Sequence, residues 1–361
     1  MSMTPGAPID WAKAACDAVM AAYTPEELPP AGKWHYHQGV FLTGAVQVWK
    51  RTGDVRYFDY TKRYVDHLVD ELGNVVVAKG ELDAIQAGLL LFTLEDATGD
   101  SRYREAARKL RALFNTFNRT REGGFWHKDH YPYQMWLDGL YMGGVFAARY
   151  AARYGEPELV DMALHQERLM RRGTLRPDGL LVHAWDESRR APWADPATGM
   201  APEVWGRALG WYGVALAEIR AELPEGHPAR EDLAAKLGAL AEALVHYQDA
   251  GSGLWHQVVD KGDRPDNWLE LSCSSLYVYS IAEAVRAGAA DPALLEAARR
   301  GFAGITARVE WDAEGRLVLP DICIGTGVGD YAHYIARPVS RNDLHGVGTF
   351  VWACMAMDRV D

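Results

Sequence analysis

Basic charge is short in this chain. Its 361 residues carry 38 Lys and Arg against 49 Asp and Glu, a net charge of −11. That balance argues against a nucleic-acid partner, and no basic run reopens the case. Cysteine is scarce too: Cys16, Cys273, Cys323 and Cys354 are scattered and form no CxxC pair. Neither a zinc signature nor a dense disulfide framework is therefore expected. Apolar runs are short, none approaching the roughly 20 residues that span a bilayer. The N-terminal MSMTPGAPIDWAKAACDAVM has neither the basic leader nor the continuous apolar core of a signal peptide. A cytoplasmic enzyme with no membrane partner is expected. A phosphate loop is also missing. ICIGTGVGDY (Ile322 to Tyr331) alternates glycine with small residues, but without GxxxxGK or a GxGxxG opening a helix. It reads as a lid or cleft wall in the irregular stretch from Arg308 to Arg341.

Aromatic residues, by contrast, are plentiful. Thirteen Trp and seventeen Tyr suit a large core or a sugar-binding cleft, and a chain this long buries most of its apolar surface. Long 3.6-period segments alternate with short turns. RTGDVRYFDYTKRYVDHL (Arg51 to Leu68) and ATGDSRYREAARKLRALF (Ala97 to Phe114) share a TGD turn followed by an amphipathic helix. Looser versions begin at Tyr154, Glu225 and Ala289. In each, a Gly or small residue ends one helix and an Asp, Glu or Pro opens the next. The helix before each turn is richer in apolar and small residues, and the helix after it carries charge on one face. That asymmetry predicts an inner and an outer layer. Five pairs are visible, and DLHGVGTFVWACMAMD (Asp343 to Asp358) makes a sixth with the N-terminal IDWAKAACDAVMAAY. Six pairs predict an all-α, single-domain (α/α)6 barrel over residues 1–361.

A second element repeats. GGFWHK (Gly123), DGLLVHAWD (Asp178) and SGLWHQVVD (Ser252) read as Gly, apolar, aromatic, His, with EGRLVLPD (Glu314) as a degenerate fourth. Read as short hairpins leading into the next inner helix, they gather at one rim and bring His127, His183 and His256 together. Loops on a rigid scaffold are common places for binding groups.

The chemistry-bearing position stands out by contrast with its surroundings. YPYQMWLDGLYMGG (Tyr131 to Gly144) sets one acid, Asp138, in an aromatic, apolar and small-residue run. An unpaired buried carboxylate is costly or stays protonated. The expectation is a general acid whose proton is held near neutral pH by desolvation; a capping aspartate is the structural alternative. Helical spacing places Asp138 with Gln134, Met135, Tyr141, Met142 and Val145. Asp83, in GELDAIQAGLLLF, has a similar setting, although an acid at a helix N-terminus is favoured by the dipole in any case. APEVWGRALGWYG (Ala201 to Gly213) carries Arg207 between Trp205 and Trp211. Such an arginine is either a cation stacked on Trp or a bidentate carboxylate clamp. Two acids, histidine loops and an Arg–Trp face point to an enzyme acting on an acidic sugar.

These strings resemble one family. YPYQMWLDGLYMGG, the upstream WHK of Trp126 to Lys128, HAWD from His183, EVWGRALGW and the C-terminal GTGVGDY…RNDLHGVGTF look like the unsaturated rhamnogalacturonyl hydrolases of glycoside hydrolase family 105. That family is related to the unsaturated glucuronyl hydrolases of family 88. The likeness runs in order from about Trp34 to the C-terminus. It implies an (α/α)6 barrel, and removal of a 4,5-unsaturated uronic acid from the non-reducing end of lyase-generated oligosaccharides. It also implies the route: Asp138 protonates C4, water adds at C5, and the hemiketal opens to free the leaving sugar. Asp83 matches the family's second acid, and His127, His183, Trp205, Arg207 and Trp211 fall on its substrate-contact motifs. Tyr36 and His37, in KWHYHQGVF, lie where a further contact is implied. No metal or organic cofactor is implied, and the partner is a small anionic oligosaccharide. A sugar epimerase using histidine pairs and a non-catalytic helical binding scaffold are the rival readings.

Overall fold

The computed structural model describes residues 5–77 and 80–360. Its helices run α1 (Pro8–Ala22), α2 (Tyr36–Thr52), α3 (Val55–Leu68), α4 (Asp83–Gln86), α5 (Leu89–Thr98), α6 (Ser101–Leu113) and α7 (Val145–Tyr154). They continue as α8 (Glu158–Thr174), α9 (Gly206–Glu222), α10 (Ala229–His246), α11 (Leu271–Arg286), α12 (Leu295–Arg308), α13 (Tyr331–Ile335) and α14 (Leu344–Asp358). Short strands fill the loops: β1 (Gln134–Trp136), β2 (Ala184–Asp186), β3 (Glu310–Trp311), β4 (Leu317–Val318), β5 (Ile322–Cys323) and β6 (Val339–Ser340).

Local chemistry explains the helical hairpins. In both TGD turns the glycine ends a helix in the left-handed conformation, Gly53 at φ +74° and Gly99 at φ +71°. A side chain there would be strained. The following aspartate caps the next helix: Asp54 accepts from the Arg56 N–H and Asp100 from the Arg102 N–H. Each such cap stabilises by about 1 kcal/mol.

Burial sorts the helices into two layers. Every residue of α14 from Leu344 to Met357 is buried, as is all of α11 from Leu271 to Ala284. On α3 only Tyr57, Tyr60, Thr61, Tyr64 and Val65 are buried, a single stripe at helical spacing. The inner ring closes through α2, α4–α5, α7, α9, α11 and α14, with α14 packing on both α2 and α11. The outer helices are α3, α6, α8, α10, α12 and α1, the last lying against α14. The six expected hairpins are present, and the fold is an (α/α)6 barrel.

One rim is laced by short backbone pairings. The Leu82 N–H donates to the His127 carbonyl, the His127 N–H to Gln134, the Leu137 N–H to His183 and the His183 N–H to Glu203. Strand β1 pairs antiparallel with β2, with Trp136 opposite Ala184. An inner helix begins just beyond these links or those that continue them. Asp83, Asp138, Arg207, Ser272 and His345, together with Tyr36 and His37, all therefore lie within the first turn of an inner helix. The positive ends of six helix dipoles face one mouth of the barrel.

Candidate active site

At that mouth is a cavity of about 640 Å³ whose lining includes Tyr36, His37, Asp83, His127, Asp138 and Arg207. Asp138 owes its position to the β1–β2 pairing. The link from Leu137 to His183 brings His183 Nε2 within 3.3 Å of Asp138 Oδ2. A five-residue π turn, Leu140–Gly144, follows at once, a feature that recurs at functional sites. It leaves Met142 in the cavity wall and turns Tyr141 inward, stacked on Trp211 at 4.9 Å. Gly139 permits the close approach of the next layer, since a Cβ there would lie 2.9 Å from Leu82 and 3.4 Å from His127 Nδ1. The helical face expected for Asp138 is thus only partly met: Gln134 and Met135 belong to a strand, and Tyr141 is in the core.

The protonation expected of Asp138 is corrected. Burial does push its carboxyl up, but the close ring of His183 and the charges available to His183 and His127 outweigh it. The carboxyl lies below the usual aspartate range. The walls are not purely apolar, because His183, wholly buried, sits directly behind the acid. His183 in turn is held below its ordinary value by burial, which the Asp138 charge opposes. The resting pair is therefore a carboxylate beside a neutral imidazole. Tyr334 sets the tautomer of that ring. Its hydroxyl accepts from the Gly329 N–H at 3.2 Å and lies 2.7 Å from His183 Nδ1. Donation to Nδ1 leaves the ring proton on Nε2, facing the carboxylate. The 3.3 Å pair is not aligned as a hydrogen bond, so Asp138 Oδ2 and His183 Nε2 each lack a full partner.

Asp83 is placed differently. Lys128 Nζ lies 2.6 Å from its Oδ2 and 2.8 Å from Glu81, and His127 Nε2 is 3.4 Å from Oδ1. Burial opposes its charge, yet His127 and Lys128 win and hold the carboxyl below its ordinary range. His127 is lowered by burial against the pull of Asp83 and Asp138. Its ring stacks on Trp136 at 4.4 Å, and Trp136 stacks on Tyr131 at 4.8 Å. That column gives the cavity an aromatic wall.

Of the two readings open for Arg207, the structure supports the stacked cation. Its guanidinium lies 4.5 Å over Trp205. It donates to the Cys323 carbonyl at 2.6 Å, the Ile324 carbonyl at 2.8 Å and Ser272 Oγ at 3.3 Å, with Glu270 at 3.8 Å. Arg207 thus anchors the glycine-rich wall that follows β5. Trp211 is a correction. Although one turn from Arg207, it lies deeper along the barrel, 1% exposed, between Tyr141 and Trp352. His256 is another: it lies against Gly262, away from Asp138 and outside the cavity lining.

Tyr36 and His37 face the cavity from α2. His37 Nδ1 is 3.4 Å and His345 Nδ1 2.8 Å from Asp343 Oδ1. Among the described residues this His–Asp–His group has metal-ligand proximity. The Arg207 charge acts on both His37 and Asp343, which opposes a second cation there.

The cleft wall expected of ICIGTGVGDY is there, through Gly325 to Val328, but sequence reading missed other lining groups: His35, Lys128, His130, Tyr131, Trp193, His333 and Arg337. Lys128 had a signal, being the neighbour of His127 in a rim loop. His333 and Arg337 had none, since they come from a segment without helical periodicity.

Helical pairs, a mouth of dipole N-termini, and acids set beside an aromatic column define a carbohydrate-processing (α/α)6 barrel. The chain belongs to glycoside hydrolase family 88: the model of that family, Glycosyl Hydrolase Family 88, matches residues 11–360. It is similar to a family 105 glycoside hydrolase of C. acetobutylicum ATCC 824, with 35% identity and a TM-score of 0.91, covering 96% of this chain and 99% of that one. It is 27% identical over 253 residues to the unsaturated rhamnogalacturonyl hydrolase YesR of Bacillus subtilis, covering 67% of this chain and 68% of that protein. The unsaturated glucuronyl hydrolase of Bacillus sp. GL1 shares the fold at a TM-score of 0.74 with 15% identity over 98% of this chain and 96% of that one. The family 105 likeness expected from the motifs is met, and the chain is a glycosidase. Among the described residues no helix is long and apolar enough to cross a membrane.

Proposed function

We propose that this glycosidase removes a 4,5-unsaturated uronic acid from the non-reducing end of oligosaccharides left by polysaccharide lyases, rhamnogalacturonan fragments of pectin being the substrate class. One observation carries the mechanism: the two acids are not equivalent. Asp83 is neutralised by Lys128, whereas Asp138 faces only histidines that burial keeps neutral. Retaining and inverting hydrolases need two carboxyl groups working across the anomeric carbon. Hydration of an enol ether needs one acid beside C4 and a route for water.

The sequence of events follows from the pair. An anionic sugar entering the cavity raises the proton affinity of Asp138, and the Asp138–His183 pair takes up one proton. Asp138 O–H donates that proton to C4, and the alkene electrons leave an oxocarbenium at C5. Water adds at C5 and returns its proton to the Asp138 carboxylate. The hemiketal opens by cleavage of C5–O5, giving a ketone at C5 and a hemiacetal at C1 that releases the leaving sugar. Asp83, fixed as an anion, accepts hydrogen bonds from sugar hydroxyls. Trp136 offers its ring to the sugar face. The free, buried state of the four cysteines suits a reducing compartment, the cytoplasm, as the place of work.

The test is turnover of unsaturated disaccharides from pectin, ulvan and glycosaminoglycan digests, followed by loss of the alkene absorbance, with Asp138→Asn as control. Turnover that survives in the variant would remove Asp138 from the chemistry. Binding without turnover by the wild type would favour the scaffold reading.

A further inference from the structure

The proposed sugar carries its own carboxylate on C5, the carbon that water attacks, so the cavity must offer it a cation. Among the described residues, Lys128, Arg207 and Arg337 are the lysine and arginines that line the cavity. Lys128 is committed to Asp83 at 2.6 Å and Glu81 at 2.8 Å. Arg207 is committed to the carbonyls of Cys323 and Ile324, to Ser272 and to Glu270. Arg337 differs from both. It forms no ion pair among the described residues, and its single side-chain hydrogen bond runs from Nη2 to the Gly325 carbonyl at 2.6 Å. Its Nε is buried without an acceptor, while the side chain as a whole stays partly exposed. A guanidinium has five N–H donors in a fixed fork that matches a carboxylate, and one of them is used.

Placement adds a second argument. Arg337 lies two residues beyond α13, which also carries Tyr334, the residue that holds His183 behind the acid. Arg207 and Arg337 grip successive carbonyls, Ile324 and Gly325, of one wall. The first holds that wall in place, and the second is held by it with donors to spare. Asp138 is the site acid without a cationic side-chain partner, so an anion entering beside it meets repulsion unless a cation receives it. We propose that Arg337 is the substrate-binding residue that takes the carboxylate of the unsaturated uronyl ring. This rests on the function proposed above and assigns one determinant of its preference for acidic sugars.

The experiment compares wild type, Arg337→Gln and Arg337→Lys on an unsaturated disaccharide with a neutral leaving sugar, as free acid and as methyl ester. Thermal melting checks that each variant is folded. For Arg337→Gln, kcat/KM on the free acid falls by about 30-fold or more, mostly through KM, while the ester changes by less than about threefold. Arg337→Lys recovers part of the loss on the acid, because it restores charge without the fork. Equal losses on acid and ester, or no loss on either, would overturn the assignment. So would a loss confined to a substrate whose leaving sugar bears the anion, which would place Arg337 at the neighbouring ring. Failure of wild type to turn over any unsaturated uronide would instead sink the functional reading itself, and Arg337 with it.

Discussion

The two mouths of the barrel are built from the same six inner helices, yet their charges are used in opposite ways. The far mouth holds a cavity of about 350 Å³ lined mainly by the C-terminal halves of those helices, with Leu89, Leu90 and Tyr141 at its inner end. Cations suit that end of a dipole, and Arg149, Arg286 and Arg359 are there. These three are answered locally: Arg149 pairs with Glu218 at 3.1 Å and Glu222 at 2.6 Å, and Arg286 and Arg359 both pair with Glu283, while Lys50 beside them forms no ion pair among the described residues. At the near mouth the acids Asp83, Asp138 and Asp343 sit at helix N-termini, as the dipole favours. There the pairing stops short, leaving Asp138 against a neutral imidazole and Arg337 with no acid. Dipoles choose the sign of charge at each mouth; an acid buried against a neutral imidazole is what sets the near mouth apart.

The contrast breaks most sharply at Asp138. Asp138→Asn keeps the fold and the far mouth intact, and kcat falls by about 10³-fold, read from alkene absorbance. Asp83→Asn has a smaller effect on rate, about 100-fold in kcat/KM, but also strands Lys128 with Glu81 alone. Denaturant unfolding should show a loss of about 2 kcal/mol, below the usual cost of breaking a buried pair because Glu81 remains.

Tyr334→Phe tests the histidine behind the acid. It removes the hydroxyl from His183 Nδ1 and lowers kcat by about 10-fold. The pH profile separates this positioning role from a loss of packing. His183 is held below its ordinary value, so in the free enzyme the pair carries its extra proton only below that depressed pKa. As pH rises through it, Asp138 is left a bare carboxylate and kcat/KM falls. Asp138, Arg207 and His333 bear on the charge of His183, and His183, His127 and Asp83 on that of Asp138. A bound anionic sugar favours the protonated pair, so the kcat limb lies at higher pH than the kcat/KM limb. In Tyr334→Phe the limb moves upward, because the donor that opposed charging Nδ1 is gone. An unmoved limb would reduce Tyr334 to packing.

The smallest effect belongs to the far mouth. Glu218→Gln loosens the pairing with Arg149 and the hydrogen bond from Tyr279, for a stability loss of about 1 kcal/mol. It leaves kcat/KM within about twofold of wild type.

The fold was legible because its signals are local. The TGD turns state both the glycine that ends one helix and the aspartate that caps the next, and the contrast between α14 and α3 is a matter of residue pattern alone. Asp138 and Asp83 were legible for the same reason, as acids opening apolar helices. Their ionisation was not, because Lys128 and His183 arrive from loops about 45 residues further on. Trp211 was misplaced by a correct spacing. One helical turn along an inner helix is about 5.4 Å deeper into the barrel, enough to move a side chain from the mouth to the core. Arg337 had no pattern to betray it, since its meaning lies in the partners it lacks.

The central chemistry is tested most directly by a single turnover of wild type on an unsaturated disaccharide, with the alkene absorbance and the freed sugar followed together. Hydration through Asp138 predicts that the alkene band disappears no later than the leaving sugar appears, with solvent deuterium delivered to C4 in heavy water. Freed sugar accumulating while the alkene band persists would show cleavage at the anomeric carbon and contradict it.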